Sequence, residues 1–353
     1  MTHTGMVQQS HLLRLLLALA IALAAFAGFA HLAPSGVTAQ FGSCMDREPN
    51  NNTGQANVLN CFNMQFNANI NDENNANIST AFPHATVNGF GSGGGGTDDD
   101  VFSFTVTNPF TTAYFDIDGT TSGDLDLFVI EAASGTIAFN DDSDFVDAGS
   151  TTTDDPFLSL TLATPGTYYV VVESIPSGAA YTLHVTLATG VFAPDVALDD
   201  NTWSLAFDPD INDVNNVNTS TFIPHTSVDG VGADKVDWYE VTVAGPARPV
   251  WGQSNIRTAI FDIDYGLVPS DGMGPDDFDA YLKLYDANGN LVGLDDDHSP
   301  LDPGSEHSFD SLLEIDLNPG TYYLAVGRFP NAQPIPAGGT YTLQVSVERH
   351  AVP

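Results

Sequence analysis

Hydrophobic and polar positions alternate with a period of two through most of the chain, the signature of strands with one buried face. Asp100 to Val106, Phe115 to Asp118, Leu125 to Val129 and Leu158 to Leu162 are rich in aromatic, β-branched and leucine side chains, and Gly, Asp, Asn or Pro separates them. No stretch beyond residue 40 keeps a helical period. Short strands with turn residues at regular intervals predict an all-β fold of antiparallel β-sandwich, jelly-roll-like type.

The pattern is used twice. Residues 70–89 align without a gap on residues 211–230 at an offset of 141, and twelve of the twenty positions are identical, Pro83-His84 and Pro224-His225 among them. Downstream, Asp100–Val106 returns as Asp237–Val243, and Phe115-Asp-Ile-Asp118 as Phe261-Asp-Ile-Asp264. Leu158, Leu160 and Leu162 return as Leu313, Ile315 and Leu317, and Pro165 to Tyr169 as Pro319 to Tyr323. Strands Tyr181–Val185 and Tyr341–Val345 close the two copies. The chain therefore reads as two tandem domains, 40–192 and 193–353, with the boundary near Gly190 to Pro194.

Residues 1–39 have a different character. His3, His11 and Arg14 precede the apolar run Leu15 to Ala30, and the segment ends in Val37-Thr38-Ala39, with small residues where signal peptidase needs them. A cleaved signal peptide is expected, with no stable membrane insertion of the mature protein, which would be secreted and extracellular, or periplasmic in a bacterium. Cys44 and Cys61 are the chain's two cysteines, and in an exported protein a disulfide is their expected state. A loop of that length would stabilise the fold by about 3 kcal/mol in the chain-entropy model.

Charge narrows the choice of partner. The chain carries 45 acidic residues against 8 basic ones, a formal charge of −37, which excludes nucleic acid and anionic membranes as natural partners and favours cations. Only eight of the acids are glutamate. Aspartate predominates in turns and in calcium loops, where the short carboxylate caps backbone or chelates compactly. The strand ending Asp116-Ile-Asp118 runs through a Gly-containing loop into Asp124-Leu-Asp126. If the two strands pair as a hairpin, Asp116, Asp118, Asp124 and Asp126 share one face, and like charges so opposed need solvent, donors or a cation. The second copy offers Asp262, Asp264, Asp277 and Asp279. The loops Asp141, Asp142 and Asp144, and Asp295, Asp296 and Asp297, add oxygens at equivalent places. These residues are the expected calcium ligands. The alternatives are a solvated acidic surface in saline surroundings and aspartates that only bond neighbouring backbone.

Catalytic signatures are absent from the sequence: there is no His-Glu-x-x-His and no Gly-x-Ser-x-Gly, and a disulfide would leave no cysteine nucleophile. Gly89 to Gly96 lacks the Lys-Ser/Thr ending of a phosphate loop. The paired carboxylates recur in both copies, which favours a scaffold or metal role over glycosidase chemistry. His84 and His225 each follow a proline and have no second histidine at ligand spacing, so a structural role is expected. The two tyrosines of Pro-Gly-Thr-Tyr-Tyr alternate faces, one into the core.

Taken in order, the Glu48-Pro-Asn50 opening, the Asp100 and Asp237 strands, Asp124-Leu-Asp126 with Asp277-Phe-Asp279, the acidic loops, Pro-Gly-Thr-Tyr-Tyr and the closing Tyr-Thr-Leu resemble the bacterial pre-peptidase C-terminal domain, once in each copy. The resemblance implies a β-sandwich module of exported proteins that commonly accompanies secreted peptidases. Related collagen-binding modules hold calcium through an N-terminal Glu/Asn segment and nearby aspartates, which implies ligands at Glu48, Asn50 and Asn51, with Asp98, Asp99 and Asp100 contributing. The second copy opens instead with Asp199-Asp200-Asn201. The signal and two repeats account for the length, so no peptidase is expected within the chain. The expected role is a non-catalytic, calcium-binding extracellular binding, adhesion or scaffold module whose partners are a matrix protein, a glycan or a separately encoded secreted hydrolase. Mass spectrometry of the secreted protein should find a mature chain beginning at Gln40; retention of residues 1–39 would contradict the export reading.

Overall fold

The computed structural model describes residues 44–91, 99–120, 124–143, 146–175, 179–199, 202–212, 217–245, 256–268, 276–277, 279–298, 301–305 and 308–347. Residues 1–39, read as an export signal, lie outside these. Among the described residues there is no helix, and hence none long and apolar enough to cross a membrane. The chain divides into two compact units after Val191.

The first unit contains β1 (Asn57–Val58), β2 (His84–Phe90), β3 (Asp99–Val106), β4 (Thr111–Asp118), β5 (Asp124–Glu131), β6 (Gly135–Asn140), β7 (Phe157–Leu162), β8 (Gly166–Ile175) and β9 (Ala180–Ala188). One sheet has the order β1-β3-β8-β5-β6 and the other β2-β9-β4-β7. The second unit contains β10 (Val196–Leu198), β11 (His225–Val231), β12 (Asp237–Val243), β13 (Arg257–Val268), β14 (Asp276–Asp277), β15 (Ala280–Asp286), β16 (Leu291–Asp295), β17 (Leu312–Leu317), β18 (Gly320–Arg328) and β19 (Thr340–Val347). Its sheets run β10-β12-β18-β15-β16 and β11-β19-β13-β14, with β17 also on β13. All pairings are antiparallel except β1 on β3 and β10 on β12, which are parallel in both units.

Alternation places one face of each sheet in the core. Phe102, Phe104, Leu127, Val129, Tyr168 and Val170 meet Phe115, Ile117, Leu183 and Val185 in the first unit, and Tyr239, Val241, Leu282, Leu284 and Leu324 meet Phe261, Ile263, Leu343 and Val345 in the second. Each such side chain taken fully out of water contributes about 1.5–3 kcal/mol. The outer face of the β1-β3-β8-β5-β6 sheet is apolar as well. Val101, Phe128, Ile130, Tyr169 and Val171 form a smaller cluster there, so the second tyrosine of Pro-Gly-Thr-Tyr-Tyr is also buried. In the second unit Phe192 sits edge-on to both Trp238 and Tyr323 on the corresponding face, with ring centroids 5.4 Å apart in each case.

β4 and β5 do not form a hairpin, and in the second unit β13 pairs with the short β14 that carries Asp277 but not with β15. β4 pairs with β7 and β9, β5 with β6 and β8, and the connection between β4 and β5 passes from one sheet to the other. β13 and β15 are likewise in different sheets. Phe115 and Ile117 therefore face Leu125 and Leu127 across the core, and the aspartates between them are carried to opposite outer surfaces. A hairpin and a sheet-switching connection have the same alternation, and here the switch lets both apolar faces be buried against each other.

The repeated motif residues close each sandwich. Tyr181 of β9 donates its hydroxyl to Asp100 Oδ2 at 2.5 Å, and Tyr341 of β19 donates to Asp237 Oδ2 at 2.7 Å. Both rings pass over a glycine. A Cβ on Gly89 would lie 2.1 Å from Tyr181 Cζ, and one on Gly230 2.1 Å from Tyr341 Cζ. His84 and His225 are buried, with Nδ1 3.4 Å from Phe82 O and 3.0 Å from Ile223 O, and each pairs with the preceding segment through a bridge to Asn63 or Ser204. Gly89→Ala should displace the Tyr181 ring and strand the Asp100 carboxyl, lowering stability by about 2–4 kcal/mol in denaturant unfolding. Gly166→Ala, whose Cβ would meet nothing within 4 Å, should shift stability by less than about 1 kcal/mol; equal losses for the two variants would refute the packing role.

Candidate metal centres

Among the described residues, three groups of acidic side chains bring one oxygen each to within 4.8 Å of one another: Asp116, Asp118 and Asp147; Asp262, Asp264 and Asp302; and Asp46, Glu48 and Asp100. The first two are the same centre in the two units. Asp116 and Asp118 sit on the outer face of β4, Asp262 and Asp264 on that of β13, and these faces are covered, leaving Asp116 only 3% and Asp262 4% exposed.

Part of that cover is the segment joining β6 to β7, or β16 to β17. In Asp147-Ala-Gly-Ser150, Ser150 Oγ donates to Asp147 Oδ1 at 2.6 Å, and in Asp302-Pro-Gly-Ser305, Ser305 Oγ donates to Asp302 Oδ1 at 2.6 Å. Oδ2 of each aspartate is buried with no hydrogen-bond partner. The glycine in between has φ +126° at Gly149 and +107° at Gly304, and a Cβ there would fall 2.1 Å from Asp118 Oδ2 or 2.3 Å from Asp264 Oδ1. Only glycine combines that backbone with so close an approach. Asp155 fastens the first loop, accepting from Thr151 N at 2.8 Å and from Thr120 N at 3.3 Å.

The charges have little protein compensation. Both oxygens of Asp116 are buried without a hydrogen-bond partner. Burial pushes the Asp116 carboxyl well above its ordinary range, and Asp118, Asp147 and Asp155 push it further. Asp262 is raised for the same reasons by burial and then by Asp264, Asp302 and Asp310. Asp264 is pushed up to about 8 by burial and by Asp302, Asp210 and Asp310. Asp118 is raised by burial, but His184 of β9 opposes this, with Nε2 3.0 Å from Asp118 Oδ2.

The third group lies at the start of the first unit. Asn50 is buried, donates Nδ2 to Asp46 Oδ1 at 2.9 Å and its backbone N–H to Glu48 Oε2 at 3.2 Å, and leaves its own Oδ1 without a partner. Asp100 is pushed up to about 8 by burial, then by Asp46 and Glu48, against the stabilising bond from Tyr181. The Cys44–Cys61 disulfide, with Cα atoms 5.4 Å apart, closes the loop carrying this group. Asn51 is exposed. Asp99 has the opposite parity to Asp100 and pairs with Glu173. In the second unit burial raises the Asp237 carboxyl and Asp195 raises it further, against the bond from Tyr341 and the charge of Lys235, which pairs with Asp195 at 2.5 Å.

The expected ligands are thus redistributed. Asp116 and Asp118 join Asp147, and Asp262 and Asp264 join Asp302, rather than the Asp-x-Asp of the following strand. Asp126 lies in the other sheet, opposite Glu173. Strand register also moves the correspondence by two residues: Leu127 pairs with Val172 and Leu282 with Val326, so Asp279 stands at the place of Asp124, and Tyr281 at that of Asp126. Asp277 pairs instead with Leu267 of β13. Asp279 is raised to about 6 by burial and then by Asp297 and Asp296, with Arg328 opposing. Asp295 accepts from Leu312 N at 2.9 Å, and Asp142 N donates to Asn140 Oδ1 at 2.9 Å. Asp141, Asp142, Asp295, Asp296 and Asp297 join none of the three groups. Asp98 and Asp144 lie outside the described residues, as do the side chains of Asp124 and Asp277.

Three oxygens in a buried group with no nitrogen or sulfur ligand suit a hard cation. Without one, these acids weaken the fold when ionised. Asp100 and Asp264 ionise near pH 8 in the folded protein against an ordinary 3.8. Between those values the folded state holds extra protons, so stability is fullest at low pH and is lost as pH rises through about 8. In chelator, the unfolding temperature should fall from pH 5 to pH 8.5, and saturating divalent cation should flatten the slope. A midpoint that rises with pH in chelator would contradict the geometry.

Residues 98–174 match the family profile of the bacterial pre-peptidase C-terminal domain. No curated protein matches the chain. Similar solved structures include the pre-peptidase C-terminal domain of a Bacillus anthracis collagenase, at 19% identity over 35% of this chain and 89% of that one with a TM-score of 0.20. The CUB1-EGF-CUB2 domain of human MASP-1/3 matches at 7% identity over 75% and 99% with a TM-score of 0.20. A tandem CBM22 domain of Paenibacillus barcinonensis Xyn10C matches at 12% identity over 72% and 92% with a TM-score of 0.17. Scores this low carry no argument about fold or function. The family match covers β3 to β8 with Asp100, Asp116, Asp118, Asp126, Asp147 and the Pro-Gly-Thr-Tyr-Tyr motif, so residues 98–174 are similar to the bacterial pre-peptidase C-terminal domain.

Proposed function

We propose that this is an exported, non-catalytic pair of β-sandwich domains, residues 40–192 and 193–353, that takes up calcium and serves outside the cytoplasm as a binding, adhesion or scaffold protein. The observation that carries the reading is the recurrence of one buried carboxylate centre in both units, with both oxygens of Asp116 and Oδ1 of Asp262 buried and without a hydrogen-bond partner. Calcium fits a flexible, oxygen-only shell better than magnesium, which demands a small rigid octahedron. The disulfide suits an oxidising compartment. A second reading, an accessory or processing module working with a separately encoded secreted peptidase or other hydrolase, is favoured by the family matched at residues 98–174.

Calorimetric titration of the chelator-treated protein should show calcium binding, and calcium at one hundred times its dissociation constant should stabilise by about 2.7 kcal/mol per site. Asp116→Asn with Asp118→Asn should shrink that gain. A wild-type melting curve unmoved by both calcium and chelator would refute calcium uptake. A glycan and matrix screen then separates the two roles: unaided binding supports adhesion, and a hydrolase recovered by pull-down from culture fluid supports the accessory role.

A further inference from the structure

The two buried centres share their architecture but differ in their surroundings. We infer that the second repeat holds its divalent cation more tightly than the first, with the carboxylate of Asp210 in the Asn-rich loop adding its charge to the centre formed by Asp262, Asp264 and Asp302. The inference rests on the cation reading above and assigns an order and one further residue to it.

The described residues of the Asn-rich loop carry matching bonds in both units. Asn77 Nδ2 donates to Asn67 O at 2.6 Å and Asn218 Nδ2 to Asp208 O at 2.6 Å, while Ser79 and Ser220 donate to the asparagine Oδ1 at 2.6 and 2.7 Å. Equivalent residues on this frame can therefore be compared directly. At the offset of 141, Asp210 stands where the first repeat has Asn69. Tyr265, the residue after Asp264, donates to Asp210 Oδ2 at 3.2 Å, which ties this carboxylate to the strand carrying Asp262 and Asp264. Its charge is felt at both Asp262 and Asp264.

The first centre has a competitor. The register that pairs Asp116 with His184 pairs Asp262 with Gln344. His184 Nε2 approaches Asp118 Oδ2 to 3.0 Å and occupies an oxygen that a cation would use. Gln344 also bonds the second centre, at Asp264, but as a neutral amide, and its Oε1 shares the Ser227 hydroxyl with Asp208 Oδ2. An added carboxylate and no imidazole act in one direction, since calcium affinity follows the charge of its oxygen ligands.

Calcium titration of the full secreted chain tests the order. Asp262→Asn with Asp264→Asn should remove the tighter class of sites, and Asp116→Asn with Asp118→Asn a weaker one. Asp210→Asn should weaken the tight class about tenfold or more, a difference of about 1.4 kcal/mol, and Asn69→Asp should strengthen a weaker class. Terbium gives a second readout: emission sensitised by tyrosine should appear at the tight class and dim in Tyr265→Phe. Near-UV circular dichroism in chelator confirms that each variant is folded. Removal of the tight class by the Asp116 and Asp118 substitutions, or unchanged affinities in Asp210→Asn, would overturn the inference while leaving calcium uptake intact. No calcium binding in the wild type would overturn both.

Discussion

A carboxylate taken out of water must be neutralised, bonded or protonated, because an isolated buried charge costs several kcal/mol even after relaxation. That constraint governs the outer faces of β4 and β13. Each sandwich lays the segment after β6 or β16 over two aspartates and adds a third, and the approach is close enough that Gly149 and Gly304 admit no side chain. The closed loops, the strand positions and the stability of each unit near neutral pH therefore depend on what balances these charges. Protonation and a bound cation are alternative answers, and they make opposite demands on pH.

The rest of the sandwich is ordered so that this burial is possible. The apolar faces of both sheets meet in one core per unit, and the Tyr–Asp bonds of Tyr181 to Asp100 and Tyr341 to Asp237 tie the closing strand of one sheet to the opening strand of the other. In the first unit Asp100 has a second use, since Asp46 and Glu48 come to the same carboxylate through the disulfide-closed N-terminal segment. In the second unit Lys235 and Asp195 stand near Asp237 instead. One scaffold thus supplies an acid that recruits more acid in one copy and sits beside an ammonium in the other.

The Asn-rich loop shows how a repeat can keep its frame and change its chemistry. Among the described residues its asparagine and serine bonds match in the two units, and on that frame Asp210 differs from Asn69 by a charge. His184 and Gln344 differ in the same manner on a strand whose register is unchanged. Such exchanges tune a site without altering the fold, and they are the differences expected of duplicated modules in which each copy can be adjusted separately.

The sequence by itself determined the local order of this protein. Period-two alternation marked the strands, the offset of 141 marked the duplication, the Cys44–Cys61 pair marked the disulfide, and Asp116, Asp118, Asp262 and Asp264 stood out as acids in strands. Asp147-Ala-Gly-Ser150 and Asp302-Pro-Gly-Ser305 also stand at equivalent places in the two copies of the sequence, and that recurrence is the available signal for the third ligand of each centre. Only the tertiary structure decided which acids meet. Alternation says which face a side chain takes within its strand, and it is silent on which sheet the strand joins. For that reason Asp126 was grouped with Asp118 although β4 and β5 lie in opposite sheets, and Asp279 was equated with Asp126 although pairing with β18 shifts it by two residues. Asp46, Asp147 and Asp302 meet their partners across long stretches of chain, and contacts of that kind are set by sheet order and loop closure, which no local pattern encodes.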